Sequence, residues 1–177
     1  INKPPPVQSN PIMTKIFVAT AYHTGLVLAA HPTHDGFAWV LFENPQRPVA
    51  WAITHARTGH EARLLASFKR LLQRYEPAIV VLEAFESGES RRCNRVRRIC
   101  RRMMGEARAL AIETRVFDRE TIRAAFARYG AMTRREIARV IAERTTAFSH
   151  RLPPRQTIWS SYDSRQSLFD AAALAIT

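Results

Sequence analysis

Apolar positions along this chain follow two rhythms: short unbroken runs, and recurrences every three or four residues. Leu26 to Ala30 is a short run that stops at His31-Pro32, which predicts a buried strand followed by a turn. Gly36 opens a second run, Phe37 to Phe42, broken at Asn44-Pro45-Gln46, and Val49 to Ile53 forms a third. Short turns between three strands predict an antiparallel meander. From His60 to Tyr75 the rhythm changes: Leu64, Leu65, Phe68, Leu71 and Leu72 share one helical face, and Pro77 ends the helix. Ala78 to Leu82 is again continuous, as expected of a strand covered on both faces. Ser90 to Ala111 reads as a long basic helix, and Thr114 to Phe117 as a fifth strand. Asp118 is placed to cap a helix over Glu120 to Tyr129, which Gly130 stops. Thr133 and Glu136 have capping-box spacing for a helix to about Phe148. After Pro153-Pro154, Asp163 or Ser164 begins a last apolar helix to Ile176.

The order β-β-β-α-β-α-β-α-α-α predicts an α/β fold: a five-stranded mixed sheet, three antiparallel strands plus two parallel ones, flanked by helices. At 177 residues a single domain is expected, with enough buried surface to need no disulfide or metal staple. Residues 1–24 hold four of the ten prolines and read as a flexible N-terminal segment, with Ile16-Phe17-Val18 as a short strand candidate. The folded domain is expected over 25–177. The opening segment lacks the apolar core of a signal peptide, and no run approaches the roughly 20 residues of a membrane span. Cys93 and Cys100 are expected to be free, reduced thiols of a cytoplasmic protein. Seven helical residues rise about 10 Å, out of disulfide reach.

Charge changes the picture. Lys and Arg number 27 against 15 Asp and Glu, a net +12, and only Lys3, Lys15 and Lys69 are lysines. Such a surplus points to a polyanion, nucleic acid before an anionic membrane, unless it is compositional bias alone. Part of it is concentrated: Arg91, Arg92, Arg95, Arg97, Arg98, Arg101 and Arg102 lie within twelve residues. On a helix Arg91, Arg95, Arg98 and Arg102 form one stripe with Arg97 and Arg101 beside it, while Val96, Ile99, Cys100 and Met103 supply the apolar side. Seven like charges repel one another, and phosphates relieve that repulsion with bidentate contacts suited to arginine. The alternative is a merely solvated basic face. The absence of RNA-reading motifs and stacking aromatics favours duplex or branched DNA over single strands.

Two carboxylates stand out against apolar surroundings. Glu83 ends the fourth strand after five apolar residues, at the strand terminus where α/β sheets gather ligands. Either it simply leaves the sheet, or it finds a cation. Asp170 interrupts an otherwise apolar last helix; it faces something cationic, or it is helped by the helix dipole. Asp163 lies seven residues earlier and is a helix cap or a ligand reaching in from the loop. Carboxylates converging at central strand ends suit two-metal phosphodiester hydrolysis, with ions about 4 Å apart.

These residues carry a resemblance. The element order, the strand ending Leu82-Glu83, the helix Asp170-Ala-Ala-Ala-Leu-Ala and the segment Leu28 to Phe37 resemble the RuvC type of Holliday junction resolvase, in the RNase H-like superfamily. The resemblance spans roughly residues 26–177. It implies a metal-dependent endonuclease acting on branched DNA as a homodimer, associated with the bacterial nucleoid. It implies two Mg²⁺ (or Mn²⁺) ions, with Glu83, Asp170 and Asp163 as catalytic metal ligands. Arg91, Arg92, Arg95, Arg98 and Arg102 are the expected DNA contacts. One position departs from the pattern: His31 stands where the first acidic residue of the family is expected. An imidazole brings no negative charge, and Mg²⁺ prefers oxygen, whereas Mn²⁺ tolerates nitrogen better. Asp35 lies in the turn and cannot replace a strand-end ligand. An inactive homologue, a substituted catalytic aspartate and an altered metal preference all fit this departure. A non-catalytic branched-DNA-binding protein is therefore the alternative to a nuclease, and another RNase H-like activity is a third reading.

Overall fold

The computed structural model describes residues 25–55, 61–84, 94–154 and 164–177. Its elements are β1 (Val27–Thr33), β2 (Gly36–Asn44), β3 (Arg47–His55), α1 (Glu61–Tyr75), β4 (Ile79–Glu83), α2 (Asn94–Ala109), β5 (Glu113–Phe117), α3 (Arg119–Ala127), α4 (Arg134–Arg144), a 3₁₀ turn (Thr146–Arg151) and α5 (Ser164–Ile176). The five strands form one sheet in the order β3-β2-β1-β4-β5. β1, β2 and β3 pair antiparallel, and β4 joins β1, and β5 joins β4, in parallel. This is the mixed sheet expected from the pattern.

The sheet carries a core on each face. Alternation sends Phe37, Trp39 and Leu41 of β2 toward α1 and α2, and Ala38, Val40 and Phe42 toward α4 and α5. The first core contains Leu64, Phe68, Leu72, Ile99 and Met103; the second contains Ile137, Ile141, Phe148 and Phe169. α5 packs across β1 and β2, and its buried Ala171, Ala172 and Ala173 bring the helix backbone close to the sheet. At the β1–β2 hairpin, a Cβ on Gly36 would sit 1.9 Å from the Thr54 carbonyl oxygen, so the close approach of β2 to β3 requires glycine there.

Several element ends differ from expectation, each for a visible reason. β1 does not stop before His31-Pro32 but continues to Thr33, and the turn falls at His34-Asp35. Pro32 pairs with Phe37 beyond the last β1–β4 rung, Ala30 with Leu82, so its missing N–H costs the β4 ladder nothing. β3 is longer than the Val49 to Ile53 run and includes Pro48, tolerated because β3 is an edge strand. The helix expected to reach Phe148 ends at Arg144, where Thr145 turns extended and a 3₁₀ turn takes over. The Asp118 cap, the Thr133–Glu136 capping box and a left-handed Gly130 all form. Residues 1–24, including Ile16-Phe17-Val18, lie outside the described residues, as do Cys93, Arg91, Arg92 and Asp163. Cys100 is buried. Among the described residues no helix is long and apolar enough to cross a membrane.

Candidate functional site

Strand parity assembles the site. Ala29 of β1 and Val81 of β4 face α5, so two positions further along each strand His31 and Glu83 face it too. The parallel register pairs Ala30 with Leu82, which makes His31 and Glu83 neighbours one rung on. α5 then lays Asp170 over the pair. His31 Nδ1 lies 3.3 Å from Glu83 Oε2, and Nε2 lies 3.5 Å from Asp170 Oδ2. His31 and Glu83 are buried, at 5% and 7% exposure. The imidazole is thus wedged between two carboxylates, a strand residue rather than an ordinary turn histidine.

Each carboxylate is closed from outside by an arginine. Arg119, the first residue of α3, donates from Nε to Glu83 Oε1 at 3.1 Å. Arg134, the first residue of α4, donates from Nε to Asp170 Oδ1 at 3.1 Å and forks onto Oδ2 with a second N–H. Gln166, one helical turn before Asp170, donates to Asp170 Oδ1 at 3.3 Å and reaches the Arg134 carbonyl oxygen at 3.4 Å. Glu83, Asp170, Arg119 and Arg134 line a cavity of about 370 Å³, with Arg123, Thr133 and Arg135 along its wall. Neither arginine pair was foreseen. The available signal was local: a cation in the first turn of a helix opposes the helix dipole. Arg119, Arg134 and Arg135 all break that rule, and for the first two a carboxylate from a distant element supplies the compensation.

The chemistry of this donor set does not suit two hard divalent cations. Glu83 and Asp170 supply two negative charges, Arg119 and Arg134 cancel both, and His31 adds a nitrogen rather than an oxygen. Among the described residues no group of three His, Cys, Asp or Glu side chains is arranged to hold a metal ion. Asp163, the remaining expected ligand, lies outside the described residues.

The basic helix divides in two. Val96, Ile99, Cys100 and Met103 are buried, as its periodicity requires. Arg98 and Arg102, however, are held by Glu61 at the start of α1, at 2.8 Å and 3.1 Å. The Arg98 hydrogen bond is the largest influence holding the Glu61 carboxyl below its ordinary range. The expected stripe is therefore partly neutralised, by a residue too far away in sequence for helical periodicity to reveal. Arg95 is half-buried, and one of its terminal nitrogens lacks a hydrogen-bond partner among the described residues.

No protein-family model matches the sequence, and no curated protein matches it. Solved structures do. The RuvC structure of Thermus thermophilus superposes with a TM-score of 0.62 at 14% identity, covering 85% of this chain and 91% of that one. The same protein in complex with a Holliday junction substrate gives 0.61 at 14% identity, covering 85% and 90%. The yeast mitochondrial Holliday junction resolvase Ydc2 gives 0.59 at 12% identity, covering 91% and 80%. The chain therefore has the RNase H-like fold of the RuvC-type resolvases.

Proposed function

We propose that this chain is a branched-DNA-binding protein built on the resolvase fold, acting as a homodimer on junctions whose two-fold symmetry it would match. One observation carries the reading: both carboxylates at the strand ends are closed by arginines around a histidine, which leaves a charge-neutral floor under a basic rim. Support for the substrate class comes from the fold, shared with a protein seen on a Holliday junction, and from the +12 charge.

The test compares binding of a four-way junction with a linear duplex of the same sequence, across a salt series, followed by incubation with Mg²⁺ or Mn²⁺. The expected result is junction-selective, salt-sensitive binding without strand cleavage. Equal affinity for junction and duplex defeats the reading. A metal-dependent endonuclease is the second reading, favoured by the convergence of His31, Glu83 and Asp170 at one point. It needs Arg119 and Arg134 to leave the carboxylates. If neither the native chain nor a folded His31→Asp variant cleaves a junction in either metal, that reading fails.

A further inference from the structure

The cavity beside the acidic floor has a chemical character of its own. Its lining carries four arginines, Arg119, Arg123, Arg134 and Arg135, against the two carboxylates of Glu83 and Asp170, a formal surplus of two positive charges. The charges are also layered. The side chains of Glu83 and Asp170 are 9% and 13% exposed, whereas those of Arg119 and Arg134 are 49% and 39% exposed. A group entering from solvent meets guanidinium before carboxylate. Among the described residues Arg119 gives only its Nε–H, to Glu83, which leaves both of its terminal amino groups available at the rim. Arg135 gives one N–H to the Pro154 carbonyl oxygen, and Arg123 stands exposed on the α3 side of the opening. Forked donors on two sides of a cavity of about 370 Å³ match a tetrahedral anion, whose oxygens accept paired N–H bonds.

We propose that this α3–α4 corner is a phosphate-binding site in which Arg119, Arg123, Arg134 and Arg135 hold a phosphodiester of the bound DNA without a metal ion. The identity of the phosphate as a DNA phosphodiester rests on the function proposed above; the anion site itself does not. Glu83 and Asp170 then serve as positioning residues, each aiming one guanidinium, and His31 fills the space between them. The participants come from five elements, β1, β4, α3, α4 and α5, so the site forms only in the folded chain.

The test uses inorganic phosphate and a four-way DNA junction separately, both in EDTA, with the full chain and an Arg123→Gln/Arg135→Gln variant. These two rim residues are exposed, so folding should survive their loss, and circular dichroism checks it. Phosphate is expected to raise the melting temperature of the native chain and not of the variant. The variant is expected to bind the junction about tenfold more weakly, with a salt slope smaller by about two. Millimolar Mg²⁺ or Mn²⁺ is expected to leave the native melting temperature unchanged. If phosphate stabilises neither protein, or both equally, the site is overturned. A rise in native melting temperature with either metal also overturns it, in favour of a cation site. If phosphate binds the native chain alone but the junction does not bind, the anion site stands and the DNA-binding reading is what fails.

Discussion

His31 is the residue on which cleavage and binding part company. It touches Glu83 and Asp170 at once, and both carboxylates already have arginine partners. Changing it to aspartate would set a third carboxylate beside two that are almost wholly shielded from water. Like charges this close disfavour one another's ionisation, and two arginines cannot neutralise three anions. His31→Asp is therefore expected to destabilise the chain by about 2 kcal/mol at neutral pH in EDTA. Millimolar Mg²⁺ or Mn²⁺ should restore part of that loss, because a cation that binds only the folded state stabilises it. His31→Asn, which adds no charge, should lose less and respond to neither metal. Thermal melts of the three proteins with and without metal measure this, and equal metal responses in all three would contradict the charge argument. At this scale the sequence was half legible. Glu83 and Asp170 were visible because each breaks an apolar run, and an ionisable group there demands a partner; His31 drew notice only through the family resemblance. Arg119 and Arg134 were hidden because an arginine opening a helix reads as surface until the fold supplies its carboxylate.

The elements were easier to read than their ends. Hydrophobic rhythm located the strands and helices, because each must bury a face at its own period. It placed boundaries poorly wherever a neighbour decides them: β1 runs on through Pro32 because β2 continues to pair with it, and β3 gains residues at an open edge. Helix caps with side-chain signatures, Asp118 and Thr133–Glu136, were legible because the capping atoms lie within three residues of one another. The end of α2 has no such signature and holds a local conflict. The Ala111 N–H bonds the Arg108 carbonyl oxygen at 2.9 Å and the Ile112 N–H bonds the Ala107 carbonyl oxygen at 3.1 Å, a pattern that usually places glycine at the left-handed position. Here that position is Ala111, with φ of 56°. A left-handed alanine costs roughly 1–2 kcal/mol. Glycine would relieve it, while losing about 0.4–1 kcal/mol through a more flexible unfolded chain. Ala111→Gly is thus expected to stabilise the protein by about 0.5 kcal/mol. A higher urea midpoint at unchanged slope is the expected reading, and a lower one would show that the strain is absent.

Over the whole molecule, the net charge of +12 is distributed in a way that composition alone cannot foretell. One part surrounds the cavity at the α3–α4 corner, and another lies along α2 on the opposite face of the sheet. Arg98 and Arg102 of α2 are restrained by Glu61, 37 residues from Arg98 and 41 from Arg102. No helical repeat spans that distance, which is why the arginine stripe read from the sequence looked unopposed. Glu61 therefore has two roles that pull against each other: it fastens α1 to α2, and it occupies donors that a DNA phosphate would otherwise accept from. Removing its charge with Glu61→Gln separates them. Stability should fall by less than about 1 kcal/mol, since the two arginine side chains are more than half exposed and solvent screens the pair. The sign of its pH dependence follows from the lowered carboxyl: the ion pair contributes fully above the ordinary carboxylate range, and that contribution disappears as pH falls through the folded value. The stability difference between Glu61→Gln and the native chain should therefore be present at pH 7 and vanish in acid. Junction affinity should move the other way. Freed of Glu61, Arg98 and Arg102 are expected to tighten binding about two- to fivefold at low salt and steepen the salt slope by about one to two. A slope unchanged by Glu61→Gln, in a protein that still binds the junction, would remove α2 from the DNA interface and leave the α3–α4 corner to carry the contact.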